Sequence, residues 1–136
     1  MDEILADLTT VWHPDPPATP DQISVAERVI GRRLPEDYRR LLLWSNGGEG
    51  QVGDLYFMLW PVQQLKDNND AVGTTEFLPG VIAFGSDGGP NCYGFDYRTG
   101  ETSPTVIQVG LGDLDPESVH VLGASLTEVL RVRLRT

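Results

Sequence analysis

Between Val81 and Tyr97 the chain reads Val-Ile-Ala-Phe-Gly-Ser-Asp-Gly-Gly-Pro-Asn-Cys-Tyr-Gly-Phe-Asp-Tyr, two apolar runs on either side of a reversal. Gly88 and Gly89 can take positive φ without a Cβ clash, Pro90 fixes its own φ, and Asp87 or Asn91 can hydrogen-bond nearby backbone, so a turn here has several independent causes. The flanking runs are rich in Val, Ile, Phe and Tyr, residue types that suit a pleated, packed surface. After the turn, Cys92, Gly94 and Asp96 alternate with Tyr93, Phe95 and Tyr97, which puts three aromatic rings on one face of the second strand. The stretch therefore predicts a hairpin at the centre of a sheet, with a helix or a core against its aromatic side. Gly100 makes a second turn and Thr105–Val109 a third, β-branched strand, so residues 81–109 read as an antiparallel meander.

Helical signals flank this meander. Ile4, Leu5, Leu8 and Val11 have helical spacing and predict an N-terminal helix over 2–11, followed by a proline-rich linker over 13–20 in which helix cannot continue. Thr19 as N-cap, Pro20 at the first helical position and Gln22 as the third residue form a capping box ahead of Ile23, Ala26, Val29 and Ile30, with Gly31 as the stop. A further helix opens at Pro35, carries Glu36 and Asp37 in its first turn, presents Tyr38, Leu41, Leu42 and Trp44, and ends at Asn46-Gly47-Gly48. Glu49–Asp54 reads as a loop and Leu55–Trp60 as a strand. Pro61 then opens a short helix through Val62 and Leu65 that fades in Asp67-Asn-Asn-Asp70. Gly110–Pro116 is a loop, and Ser125 with Glu128 has capping-box spacing before Val129 and Leu130. Beyond that, Leu130, Val132 and Leu134 alternate with arginines, a strand-like spacing on a helical start, for which helix is the favoured reading over 130–136. The fold class is α+β, a mainly antiparallel sheet with helices packed against it, in a single domain over 1–136.

A chain of 136 residues can bury one substantial core without staples. Its single cysteine, Cys92, lies in an apolar strand and reads as a buried thiol, and lone cysteine use fits a reducing compartment. The N-terminus is acidic and never apolar long enough for a signal peptide, and no stretch approaches a membrane span, so a soluble cytoplasmic protein is expected. Charge is more informative. From Leu41 to Leu130 there are two basic residues, Lys66 and Arg98, against twelve acidic ones, which accounts for the whole net charge of −10. Direct nucleic-acid binding is disfavoured, because phosphate contact needs clustered Lys and Arg. A basic protein partner would be attracted instead, although acidity can also serve solubility alone.

The chemistry-bearing residues do not assemble into a reactive pattern. His13, His120 and Cys92 lack the further ligands and the spacing of a zinc site. Gly85-Ser86-Asp87 is turn chemistry rather than a nucleophile elbow. The run Gly47-Gly-Glu-Gly-Gln-Val-Gly53 resembles a phosphate-cradling loop only superficially: it has no Lys and no Ser/Thr, Glu49 repels phosphate, and it follows a helix instead of a strand. Asp113 and Asp115 could pair for acid–base work or calcium, yet lack EF-hand spacing. Trp44 and Trp60 continue apolar faces and read as core, whereas Trp12 beside the proline linker is more open. No catalytic residue, cofactor or metal is expected.

Taken in order, Ile30-Gly-x-x-Leu34-Pro-Glu-Asp-Tyr38, Trp44-Ser-Asn-Gly-Gly48, Leu78-Pro-Gly-Val and on through Asp96, Pro104-Thr-Val-Ile and Ser125-Leu-Thr-Glu-Val-Leu resemble the SUKH superfamily, which includes fungal cell-wall-synthesis regulators and many bacterial proteins. The resemblance runs from about Thr19 to Leu130. It implies helices on a mixed, mainly antiparallel sheet, no enzymatic activity and, in the bacterial branch, an immunity protein that neutralises a cognate toxin, often a nuclease. Pro35, Tyr38, Asn46, Gly47, Gly85, Gly88 and Asp96 match its motifs as framework residues and locate no binding site. The expected function is non-catalytic binding of a basic toxin domain through acidic loops, with Glu49, Asp54, Asp67, Asp70, Glu76 and Asp87 as contacts. A cytoplasmic regulatory or scaffolding domain is the alternative, and a hydrolase using loop carboxylates the third reading.

Overall fold

The hairpin at Val81–Tyr97 is present as β4 (Val81–Ser86) and β5 (Asn91–Asp96) in the computed structural model, which describes residues 1–135. It lies within a seven-stranded sheet completed by β1 (Trp12–His13), β2 (Gly48–Val52), β3 (Leu55–Leu59), β6 (Thr105–Gly110) and β7 (His120–Gly123), arranged in chain order. All six pairings are antiparallel, so the mixed sheet implied by the resemblance is not found. Neighbours in space follow one another in sequence, so no parallel crossover is required; residues 14–47 between β1 and β2, and 60–80 between β3 and β4, carry helices rather than tight turns.

Six helices accompany the sheet among the described residues: α1 (Asp2–Leu8), α2 (Pro20–Ile30), α3 (Glu36–Trp44), α4 (Leu65–Val72), α5 (Thr74–Phe77) and α6 (Leu126–Leu134). The capping box of α2 forms as its sequence dictates. Gln22 N donates to Thr19 Oγ1 at 3.2 Å, Thr19 N donates to Gln22 Oε1 at 2.9 Å, and Gly31 closes the helix at φ 75°. Ser125 Oγ likewise accepts from Glu128 N at 3.1 Å, and α6 settles the alternating terminus as helix to Leu134. Thr136 lies outside the described residues.

The N-terminal helix is shorter than its spacing suggests. It stops at Leu8 instead of continuing to Val11, because the hydroxyls of Thr9 and Thr10 donate back to the carbonyls of Ala6 and Asp7 and turn the chain. The 13–20 linker is trimmed at both ends: His13 pairs with Glu49 as part of β1, and Pro20 already belongs to α2. The segment read as a loop, Glu49–Asp54, is mostly strand β2, with only Gly53 and Asp54 in the turn to β3. Its glycines have a tertiary cause. A Cβ on Gly50 would lie 2.4 Å from the Val11 carbonyl, and one on Gly48 only 2.6 Å from Trp12 Nε1. Trp12 packs down onto this glycine pair and is 5% exposed, while Trp44 and Trp60 are only half-buried, which reverses the expected order.

The helix opened by Pro61 does not fade in the Asp67–Asp70 run. After a 3-10 turn at Val62–Gln64, α4 carries that run in full, and α5 follows unannounced. β3 pairs with β4 only at Met58↔Ser86 and Leu59↔Gly85, which leaves the first half of β4 without a strand neighbour on that side. Asn69 fills the gap. Its Oδ1 accepts from Ala83 N at 2.8 Å and its Nδ2 donates to Ala83 O at 2.9 Å, so one buried side-chain amide does the work of a paired strand residue.

The two faces of β5 separate as the alternation requires. Tyr93, Phe95 and Tyr97 join Phe57, Phe84 and the α3 residue Tyr38 in the main core, where Phe84 and Phe95 stack at 4.4 Å between centroids and Tyr38 leans on Phe95 at 5.1 Å. Cys92 belongs to a smaller second core on the opposite face with Leu78, Val81, Ala83, Ile107 and Val109. Burial pushes the Cys92 thiol up to about 11.

Candidate functional site

The second face of the sheet is covered along only part of its width. Leu78, Leu111, Leu114 and Val119 close over the β4–β6 portion. Toward β1, successive partners in register are His13↔Glu49, Glu49↔Met58 and Met58↔Ser86, a row crossing four strands on this same face. These residues, with Pro14, Asp15 and Trp60, line an open cleft of about 350 Å³. Met58 in its floor is 39% exposed. Gln51 and Tyr56 extend the row by one pleat toward the β2–β3 turn.

Several backbone devices hold this surface. Gly85 allows β3 to approach, since a Cβ there would sit 2.6 Å from the Met58 carbonyl. Ser45 anchors the start of the linker: its Oγ accepts from Asp15 N at 3.1 Å and from Trp12 Nε1 at 3.4 Å, and donates to Gly47 O at 2.8 Å. Asn46 Oδ1 accepts from Val62 N at 2.8 Å and its Nδ2 donates to Gln63, fixing the chain that leaves Trp60. At the hairpin tip only Gly88 of the two turn glycines has positive φ, at 81°, and it lies over Met58 and Tyr56, 3.1 Å and 3.7 Å from where its Cβ would stand.

Of the six carboxylates singled out from the sequence, the structure brings Glu49 into the lining of this cleft, and Asp87 into the hairpin turn that follows the lining residue Ser86. Glu49 accepts the Tyr56 hydroxyl, and that hydrogen bond together with burial raises the tyrosine pKa, so Tyr56 stays a neutral donor. Asp87 is committed to its own turn, accepting from Gly89 N at 2.9 Å, Asn91 N at 3.2 Å and Asn91 Nδ2 at 2.9 Å. Burial alone would raise its pKa; the hydrogen bonds from Asn91 and Gly89 outweigh it and hold the carboxyl below the usual range. Asp54 sits at the β2–β3 turn, 3.4 Å from Arg133 Nε. Asp67 and Asp70 lie on α4 and Glu76 on α5, away from the cleft, and none of the three is a loop residue. Asp70 pairs with Lys66 at 2.8 Å, which with the Thr75 hydroxyl lowers its pKa.

Sequence reasoning passed over Asp15, Met58 and Tyr56, and weighed His13 only as a zinc ligand. Asp15 stands between two prolines in the linker, and its neighbourhood exists only because β1 lays that linker beside β2. The cleft holds Asp15 and Glu49 with no Lys or Arg in its lining, beside large side chains of the kind enriched at binding hot spots. Asp113 and Asp115, by contrast, are used within their own loop, accepting from Ser118 Oγ and Glu117 N at 2.9 Å each. Among the described residues no three His, Cys, Asp or Glu side chains gather as a metal would need, and no helix is long and apolar enough to cross a membrane.

The remaining motif residues act as framework. Buried Asp96 receives Arg98 through Nε at 2.9 Å and Nη2 at 3.0 Å, and also accepts from Arg98 N, which closes the turn after β5. Tyr38 is wholly buried in the aromatic core. A comparison with protein-family models finds that the one described as SMI1 / KNR4 family (SUKH-1) matches residues 17–132. Comparison with curated proteins finds no match.

Proposed function

Because the chain belongs to the SMI1 / KNR4 family (SUKH-1), we propose that it is a non-catalytic binding protein whose open cleft on β1–β4 docks a basic protein, and that this partner is a toxin the protein neutralises. The observation that carries the reading is the cleft itself: Met58 and Trp60 in its lining together with Asp15 and Glu49, and no Lys or Arg among its lining residues. Apolar anchors at the centre of an interface supply most of the affinity, while the carboxylates orient and accelerate the encounter with a positive partner. A nuclease toxin fits this surface because it must itself be basic to hold phosphates. An acidic inhibitor competes for the same groove that the nucleic acid uses.

The test is co-expression of the chain with toxin domains encoded beside it, followed by titration of the purified pair at low and high salt. Protection of the host and a complex that weakens with screening support the reading. A complex without protection points to the regulatory or scaffolding role, and neither protection nor complex removes the proposal.

A further inference from the structure

We infer that the β1–β4 cleft takes one arginine side chain of its partner, the guanidinium held on Asp15 and the apolar stem lying over Met58. The inference rests on the cleft being a docking surface and names the group that this surface selects. Asp15 carries it, as a carboxylate that is fixed in place and has nothing to bind. It lies between Pro14, whose ring fixes φ, and Pro16, which restricts Asp15 itself to an extended backbone. Its N–H donates to Ser45 Oγ at 3.1 Å, and the carbonyl of Pro16 accepts from Asn46 N at 3.2 Å, so the segment is tied down on both sides of the side chain. Among the described residues, however, the Asp15 carboxylate has no hydrogen-bond or ion-pair partner. Asp70, Asp96 and Glu101, by contrast, are each paired with a Lys or Arg. Glu49, in the same lining, is engaged by the Tyr56 hydroxyl, a neutral donor, and adds its charge to the field around Asp15.

The rest of the lining separates arginine from lysine. Trp60 is half-buried, packs against both cores and donates its N–H to Phe84 O at 3.0 Å, so the fold sets where its ring stands. A guanidinium is planar and weakly hydrated; it lies against an aromatic ring while its fork of N–H groups meets a carboxylate through two parallel hydrogen bonds. An ammonium is compact and strongly hydrated, offers no such fork, and gains less from the indole. Met58, 39% exposed, gives the methylene stem an apolar surface. At about 350 Å³ the cleft is at the small end of the range for ligand pockets, about 300–1,000 Å³, which suits one extended side chain and not a helix or strand. Because Asp15 is already held in place, its own ordering adds little cost to binding.

The site can be read without the partner. The isotope-labelled full chain is titrated by NMR near neutral pH and at constant ionic strength with N-acetyl-arginine amide and, separately, with N-acetyl-lysine amide. The expected result is saturable shifts of the Asp15, Glu49 and Met58 amides and of the Trp60 indole N–H, with a Kd of about 1–30 mM for the arginine probe and binding at least about threefold weaker for the lysine probe. Asp15→Asn, at an exposed position, should weaken the arginine probe about tenfold. Glu49→Gln should weaken it only about twofold, since that carboxylate acts through its field. Asp67→Asn, on α4, should leave it unchanged. Equal binding of the two probes overturns the inference, as do shifts that fail to gather at the cleft and an Asp15→Asn variant that binds like the wild type. Each of these outcomes leaves the docking reading standing, because protection and complex formation decide that separately. A cleft that prefers arginine in a chain that neutralises no toxin keeps the site and removes the toxin.

Discussion

One face of the sheet is divided between two regions of opposite character. Over β4–β6 it is dry: Val81, Ala83, Cys92, Ile107 and Val109 lie beneath Leu78, Leu111, Leu114 and Val119. Over β1–β4 the same face shows His13, Glu49, Met58 and Ser86 to solvent. The chain covers the first region with the loop after β6 and the segment after α5, and among the described residues no comparable segment closes the second. A sheet face that meets only water is served by short polar side chains alternating with the core. The presence of Met58 and Trp60 between carboxylates is better matched to a surface that is open in one state and covered in another. On the proposed reading the covered region serves stability and the open one recognition, which predicts that substitutions separate cleanly between the two.

The largest effect is expected in the covered region at Asn69. Replacing it with Ala strands the N–H and C=O of Ala83, both buried, and empties the space between α4 and β4. Each orphaned group costs about 1–3 kcal/mol, so Asn69→Ala should lower unfolding stability by about 3 kcal/mol, read as a shift in urea midpoint at unchanged slope. Partner affinity of the fraction that remains folded should hold. A loss of affinity without a loss of stability would erase the division.

What could be read from the sequence follows the same boundary between local and distant causes. The capping box of Thr19 and Gln22, the left-handed stop at Gly31, the Asp87–Asn91 turn and the alternation of Cys92 to Tyr97 depend on residues within a few positions of each other, and all are found. The strand at Gly48–Val52 was hidden because glycine disfavours strand locally; its presence there answers the approach of Trp12 from far away in the chain. Asn69 was hidden inside a polar run that reads as surface, although only the gap left by the short β3 gives it a structural task. The site was half legible for the same reason. Glu49 stands out as a carboxylate, yet its place beside Met58 and Ser86 depends on the register of β2, β3 and β4, while Asp67, Asp70 and Glu76 are indistinguishable from it until the helices are placed.

In the open region the next largest effect belongs to Met58. Truncation to Ala removes exposed apolar surface and nothing from either core, so stability should change by less than about 0.5 kcal/mol. Affinity for the partner should fall by about 1.5–2 kcal/mol, a Kd increase of roughly tenfold to thirtyfold in titration calorimetry. Glu49→Gln is gentler. The amide keeps an acceptor for the Tyr56 hydroxyl, so the row is preserved and only charge is lost. The expected outcome is about a threefold to tenfold slower association at low salt, nearly unchanged dissociation, and a shallower dependence on ionic strength. A change confined to dissociation would show that Glu49 acts by contact and not through its field.

The smallest effect tests whether Asp87, in the turn between β4 and β5, serves the fold or the partner. Its carboxylate accepts three hydrogen bonds within its own turn, and its pKa lies below the ordinary value in consequence. A carboxyl whose folded pKa is depressed contributes stability that is present in full above the unfolded value, about 3.9, and is lost as pH falls through the folded one. Asp87→Asn should therefore cost up to about 1 kcal/mol at pH 7, because an amide accepts fewer of these bonds. The gap between variant and wild type should narrow as pH drops below about 4, where the wild-type carboxyl itself protonates. Urea midpoints for both proteins across that range measure the closure. A gap that stays constant with pH would mean that the turn does not depend on the charge, leaving Asp87 available to the partner in the way Glu49 is.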